Sequence, residues 1–332
     1  MRILFAASPA IAVPVLEVLS KMELEGKGVA LAGILTNPDS RQGRRGQEEP
    51  TAVSAAASEL DVMRKEKDFP SIPQLKPEKL DARSRAEAAA VKADLLVSFA
   101  YGRIFGPRFM ALFPFGGINI HPSLLPQYRG ASPVPAVIRA REKETGICIQ
   151  RLTAEMDTGD ILAEDRFPLS GRETTSSLSE TVSRRAALLL AELLGDFSGH
   201  LSRARPQEGA ASYCGQIKKE DGLINWNRSA AEIDGQIRAF TPWPLSFTRC
   251  GETTLFILEG RPVPAVVPSA SPSAFPPVSP GTVLGMDKEH GILIQTADGI
   301  LAVSRLQWQA KKALDWKAFI NGARDFMGVT LS

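Results

Sequence analysis

Two short apolar runs with a helical stripe between them open this chain, and they leave the backbone few ways to fold. Arg2–Ala7 reads RILFAA, and residues 29–36 read VALAGILT. Between them Pro14 suits the first position of a helix, where its missing N–H costs nothing. Val15, Leu16, Val18 and Leu19 then give that helix an inward face through Met22. Strand, helix, strand in this order implies a parallel pair joined by a right-handed crossover. Helical segments at 51–60, 82–92 and 107–112, a short extended piece at 72–77 and a strongly apolar strand at 94–100 continue the alternation. The first half therefore reads as α/β, a Rossmann-like and mostly parallel sheet with helices on both faces. Ligands of such sheets bind beyond the carboxyl ends of the strands. Tyr101-Gly102 and His121-Pro122 mark two of those ends, which should lie close together. No GxGxxG follows the first strand and no GxxxxGK[ST] occurs, so a nicotinamide or P-loop nucleotide is a poor fit.

Residues 116–130 read GGINIHPSLLPQYRG. Alternate side chains of an extended chain share a face, so Ile118 and Ile120 point one way and Asn119 and His121 the other. A carboxamide and an imidazole then stand side by side at a strand end, or else they form the wet face of an amphipathic edge strand. Further on, a helix at 133–141 and a strand at 146–152 lead to Asp157 and Asp160, on a polar loop that contains Gly159. Either Asp could be a turn-former accepting backbone N–H groups. Residues 174–194 read as a long amphipathic helix with Leu178, Val182, Leu188, Leu189 and Leu193 as its buried face. Earlier, residues 37–46 carry Arg41, Arg44 and Arg45 on a Gly-containing loop that could grip phosphates or stay solvated, with Glu48 and Glu49 weakening its field.

Composition changes near 203–209, which divides the chain into domains at 1–205 and 210–330. Ser229-Ala230-Ala231-Glu232 is a capping-box pattern that opens a helix to Ala239. Five short strands follow, at 245–249, 253–258, 281–285, 291–296 and 299–306, which suit an OB-type β-barrel. Residues 266–280 are a Pro/Ser-rich insertion with no evident chemistry, and a helix at 313–327 closes the chain beside Lys311, Lys312, Lys317 and Arg324.

The 332 residues carry a net charge of only +2, so contact with a nucleic acid must come from local clusters. Three cysteines lie far apart without a CxxC pair, which argues against a zinc or disulfide framework and suits a reducing compartment. With three histidines on unrelated stretches, a metal site is poorly supported. No signal peptide or membrane span is evident, so the protein is expected in the cytoplasm without a membrane association. Ser123 lies near His121, but no GxSxG elbow surrounds it. Asn, His and Asp without a fitting nucleophile suit direct acyl transfer to an amine. An amide and an imidazolium would stabilise the oxyanion, and a carboxylate would orient the imidazole.

The runs GINIHPSLLP, YRG and MDTGDIL resemble the signature of the folate-dependent formyltransferases. The resemblance implies Asn119, His121 and Asp157 as the catalytic trio and 10-formyltetrahydrofolate as the one-carbon donor, with no metal. It also implies that Ser123, Leu124, Leu125 and Pro126 line the folate site. The opening RILFAASPAIAVPVLEVL, the arginine loop and Phe240-Thr241-Pro242-Trp243-Pro244 are similar to the members that formylate methionyl initiator tRNA. That likeness implies Arg41, Arg44 and Arg45 as phosphate grips for tRNA, a tRNA-binding barrel and no obligate protein partner. Ala7-Ser8-Pro9 replaces the usual Gly-Thr-Pro, Ile11 replaces an aromatic, and Gln47-Glu48-Glu49 stand where lysines are common. A small-amine formyltransferase, acting on glycinamide ribonucleotide or an amino sugar, has less use for a basic barrel. A non-catalytic RNA-binding protein has no need of an intact trio.

Overall fold

The computed structural model describes residues 1–42, 46–263 and 278–332. Two compact units are present, one of 1–133, 144–168 and 179–215, the other of 134–143, 169–178 and 216–332. In the first unit the strand Arg2–Ala7 lies between Ala30–Leu35 and Leu95–Phe99, and both pairings are parallel. Gln74–Leu75 extends one side in parallel and Gly117–His121 the other. Two antiparallel strands, Glu144–Arg151 and Ile161–Pro168, then complete a seven-stranded sheet. Leu4, Phe5, Ala6, Leu96 and Val97 are fully buried, as central strands covered on both faces require.

The helix Val13–Leu24 begins with Pro14 in its first turn, and Ala52–Glu66 is capped by Thr51, whose side chain accepts from the Ser54 N–H at 3.2 Å. Arg64, with a side chain only 2% exposed, links these two helices through Glu23 at 2.6 Å. The segment expected as an arginine loop is in its described part a hairpin, with Ser40–Gln42 paired to Gln47–Glu49. The long helix runs over Thr175–Gly195, and one predicted core residue is misplaced: Leu188 is 70% exposed. At 3.6 residues per turn the buried stripe passes through Val182, Ala186, Leu190 and Leu193, and Leu188 falls on the opposite side.

The second unit contains an antiparallel sheet in the order Ser246–Cys250, Thr253–Val263, Ile300–Trp308, Gly291–Gln295, Val283–Asp287. Its two outer strands are joined by the C-terminal residues. Val283 donates to the Val329 carbonyl at 2.9 Å, and Arg249 exchanges backbone bonds with Ser332 at 2.7 and 3.0 Å. The sheet is thereby curled towards closure in a barrel-like fold around Trp226, Ile257, Ile294, Val303 and Phe319. Ser229 and Glu232 form the expected capping box at the start of Ala230–Ala239. The expected final helix is shorter, ending as Trp316–Asn321 before Gly322, with a single tight turn at Arg324–Phe326. Glycine interrupts what the apolar spacing alone would continue.

Candidate active site

Gly117–His121 pairs with Leu95–Phe99 on one side and Glu144–Arg151 on the other, so Asn119 and His121 lie inside the sheet, not on a wet edge. His121 is 4% exposed. Asn119 stands opposite Gln150 across the antiparallel pair, and opposed residues share a face. Beyond Arg151 the chain turns through the loop that carries Asp157, whose φ is +57°, a left-handed conformation that Asp tolerates better than most residues. Gly159 lets this loop return against the strand, since a Cβ there would sit 1.9 Å from the Arg151 carbonyl oxygen.

One carboxylate gathers the site. Oδ1 of Asp157 accepts from Gln150 Nε2 at 2.9 Å and from Asn119 Nδ2 at 3.4 Å, and it lies 3.6 Å from His121 Nδ1. Oδ2 accepts from the Gly130 N–H at 2.8 Å. Gly130 must be glycine here, because its φ is +109° and a Cβ would meet the Cys214 carbonyl oxygen at 2.3 Å. On the far side of the imidazole, Nε2 is 2.8 Å from the Tyr128 carbonyl oxygen. A carbonyl carries no proton, so Nε2 is the protonated nitrogen.

Burial pushes the His121 pKa below its ordinary value. The Arg129 charge acts in the same direction, while the Asp157 carboxylate and the Tyr128 carbonyl pull it back up. The ring is therefore neutral at pH 7, with its Nδ1 lone pair beside the carboxylate. Such a ring accepts a proton from an attacking amine and gains a stabilising counter-charge as it does so. The two thiols nearest the site, Cys148 and Cys214, are both held protonated by burial. Burial pushes Cys148 up to about 12, and its Sγ accepts the Leu125 N–H at 3.4 Å.

The remaining sequence-derived candidates fall in different places. Ser123 is fully buried, and its hydroxyl donates to the Gln127 carbonyl at 2.6 Å. Leu125 packs with Cys148 and Ile161, and Leu124 fills the space over Gly146. Pro126 is buried. Asp160 is exposed and outside the cluster. The Arg41 backbone pairs with Glu48 in the hairpin, whereas Arg44 and Arg45 lie outside the described residues. Lys311, Lys312 and Lys317 are exposed. Gln150 and Gln207 carry no sequence motif, and only the register that sets Gln150 opposite Asn119 brings Gln150 to the site.

A family model described as formyl transferase matches residues 1–194, and one described as formyl transferase, C-terminal domain, matches residues 216–324. The chain is 49% identical to the methionyl-tRNA formyltransferase of Treponema denticola over 98% of both chains. It is 41% identical to that of Treponema pallidum over 97% of both. Among solved structures, the sugar 3N-formyl transferase WlaRD superposes with a TM-score of 0.61 at 18% identity, covering 94% of this chain and 99% of that one. HypX from Aquifex aeolicus, in complex with tetrahydrofolic acid, gives a TM-score of 0.59 at 16% identity over 98% of this chain. This chain spans 48% of the length of HypX. These structural likenesses speak to the fold.

Proposed function

The chain belongs to the formyl transferase family, and we propose that it transfers a formyl group from 10-formyltetrahydrofolate to the α-amino group of methionyl initiator tRNA. The observation that carries this reading is the convergence of Asn119, His121 and Gln150 on the Asp157 carboxylate. The tRNA acceptor is supported by likeness that continues through the C-terminal domain.

The folate donor supplies an activated one-carbon unit, and this chain supplies the surroundings in which an amine attacks it directly. Asn119 offers an amide N–H to the oxygen that becomes negative. His121, neutral at rest, takes the proton shed by the attacking nitrogen and becomes a charged donor beside the neutral Asn119 amide. As the tetrahedral intermediate collapses, the bond from the formyl carbon to the folate nitrogen breaks and tetrahydrofolate leaves with that proton. Asp157 stabilises the imidazolium from 3.6 Å. Donors aimed at a developing oxyanion contribute about 3 to 4 kcal/mol each. Ser123, Leu124, Leu125 and Pro126 form a closely packed wall for the folate, contributing shape and backbone groups instead of hydroxyl chemistry. Arg41, Arg44 and Arg45 grip phosphates of the tRNA, and the exposed lysines of the barrel add attraction that weakens with salt. A chain that acts on charged tRNA works in the cytoplasm, beside translation.

The test offers the purified protein 10-formyltetrahydrofolate with charged initiator tRNA and, separately, with glycinamide ribonucleotide. Formyl-methionyl-tRNA is the expected product. Formylation of the small amine alone overturns the reading.

A further inference from the structure

Both family matches leave residues 195–215 uncovered, and this segment contains Gln207. Its side chain meets the site at more points than any sequence motif suggests. Nε2 lies 2.9 Å from the Asp157 carbonyl oxygen, 2.9 Å from the Gly159 carbonyl oxygen and 3.1 Å from Gln150 Oε1. Oε1 accepts from Arg129 Nε at 3.1 Å and Nη2 at 2.6 Å. Three acceptors share the two N–H groups of this amide and a guanidinium faces its oxygen, so it has only one orientation. We propose that Gln207 is a positioning residue for formyl transfer, holding the Asp157 carboxylate towards Asn119 and His121 through Gln150 and through the backbone of the Asp157 loop. This inference rests on the catalytic reading of Asn119, His121 and Asp157.

The physical case is a one-way line of donors. Arg129 donates to Gln207, Gln207 to Gln150, and Gln150 to Asp157 Oδ1. Because Gln207 occupies Oε1 of Gln150, the Gln150 amide must present its NH2 to the carboxylate. Turned over, it would set a carbonyl oxygen against a carboxylate oxygen at the present 2.9 Å. Aligned bonds of this kind polarise one another, and groups that support a reacting side chain fix its orientation. The same amide also restrains the two carbonyls that flank Thr158, in a loop whose Asp157 is held in a left-handed conformation. The neighbouring segment holds the other side of the imidazole's surroundings. The Ser212 hydroxyl accepts the Tyr128 N–H at 2.8 Å, and Tyr213 pairs with Arg129.

The test uses the full-length enzyme and Gln207→Glu, which keeps the acceptor for Arg129 but presents carboxylate oxygen to all three carbonyl groups. Turnover should fall about 30-fold or more, while KM for donor and for charged tRNA stays within about twofold, since only transition-state geometry is lost. In a Gln150→Leu background, where the side-chain line is cut and only the loop-backbone bonds remain, the same change should cost several-fold less than in the otherwise wild-type enzyme. Gln207→Met, which fills the space without donating, should repeat the loss of kcat; its thermal unfolding checks the fold independently should Gln207→Glu fail to fold. Wild-type turnover in a folded Gln207 variant, or losses that simply multiply with Gln150→Leu, overturn the proposal. Asp157→Asn is run in parallel to separate the two readings. Full turnover in Asp157→Asn sinks the catalytic reading itself, whereas a disabled Asp157→Asn beside a fully active Gln207 variant sinks only the role of Gln207.

Discussion

Asp157→Asn changes no volume and exchanges one oxygen for an NH2, yet it should nearly silence the enzyme. The carboxylate faces donors from Gln150 and Gly130 at 2.9 and 2.8 Å, so an amide NH2 must oppose at least one of them. The larger effect is the lost charge. At 3.6 Å and an effective dielectric of about 20, a carboxylate favours imidazolium over imidazole by about 4 to 5 kcal/mol. Both side chains are at most 10% exposed, so solvent screens little of that. If His121 becomes charged in the transition state, kcat should drop by about a thousandfold. Removing the group that pulls the His121 pKa upward also lowers it further, so the acid limb of the kcat profile should move to lower pH. Rates at saturating donor and charged tRNA, measured across about pH 5 to 8, read both effects. A loss below about tenfold, or an acid limb that stays in place, would refute charge development on His121.

Two further predictions concern stability. His121 has a folded pKa held below its ordinary value by burial, so the unfolded chain takes up that proton first as pH falls. Its contribution is complete above about pH 6.5 and declines below it, by up to about 1.4 kcal/mol per unit, until the folded pKa is reached. Urea unfolding at about pH 7.5 and 5.5 should show a smaller difference for His121→Gln than for the wild type, and an equal difference would contradict the burial argument. Arg64→Ala strands the Glu23 carboxylate, itself 14% exposed, and removes the bond to the Pro70 carbonyl. It should cost about 3 to 5 kcal/mol in denaturant unfolding; a cost under about 1 kcal/mol would mean that Glu23 finds water instead.

The sheet was legible because its strands are apolar throughout and its helices carry apolar stripes, patterns that need no knowledge of distant residues. Asn119 and His121 were legible for the same local reason, since two residues on one strand share a face. Gln150 was hidden by register: its partnership with Asn119 exists only once Glu144–Arg151 runs antiparallel to Gly117–His121. Gln207 was hidden more deeply, in a stretch whose polar composition reads as a boundary. Leu188 shows the opposite error, an apolar residue assigned to the core although helical geometry turns it outward. The hairpin of Ser40–Gln42 and Gln47–Glu49 is hard to see in the sequence, because its short strands carry no apolar alternation.

Synthesis proceeds from the N-terminus, and Gln207 emerges 50 residues after Asp157. At translation rates of about 5 to 20 residues per second, the Asp loop exists for roughly 3 to 10 seconds, and the Asn and His strand for roughly 4 to 18 seconds, before their buttress is made. A nascent chain therefore carries the acid–base groups before it carries the brace that orients them. The orientation of the Asp157 carboxylate should become fixed in a step that coincides with the emergence of residues 205–214, instead of tightening gradually with length.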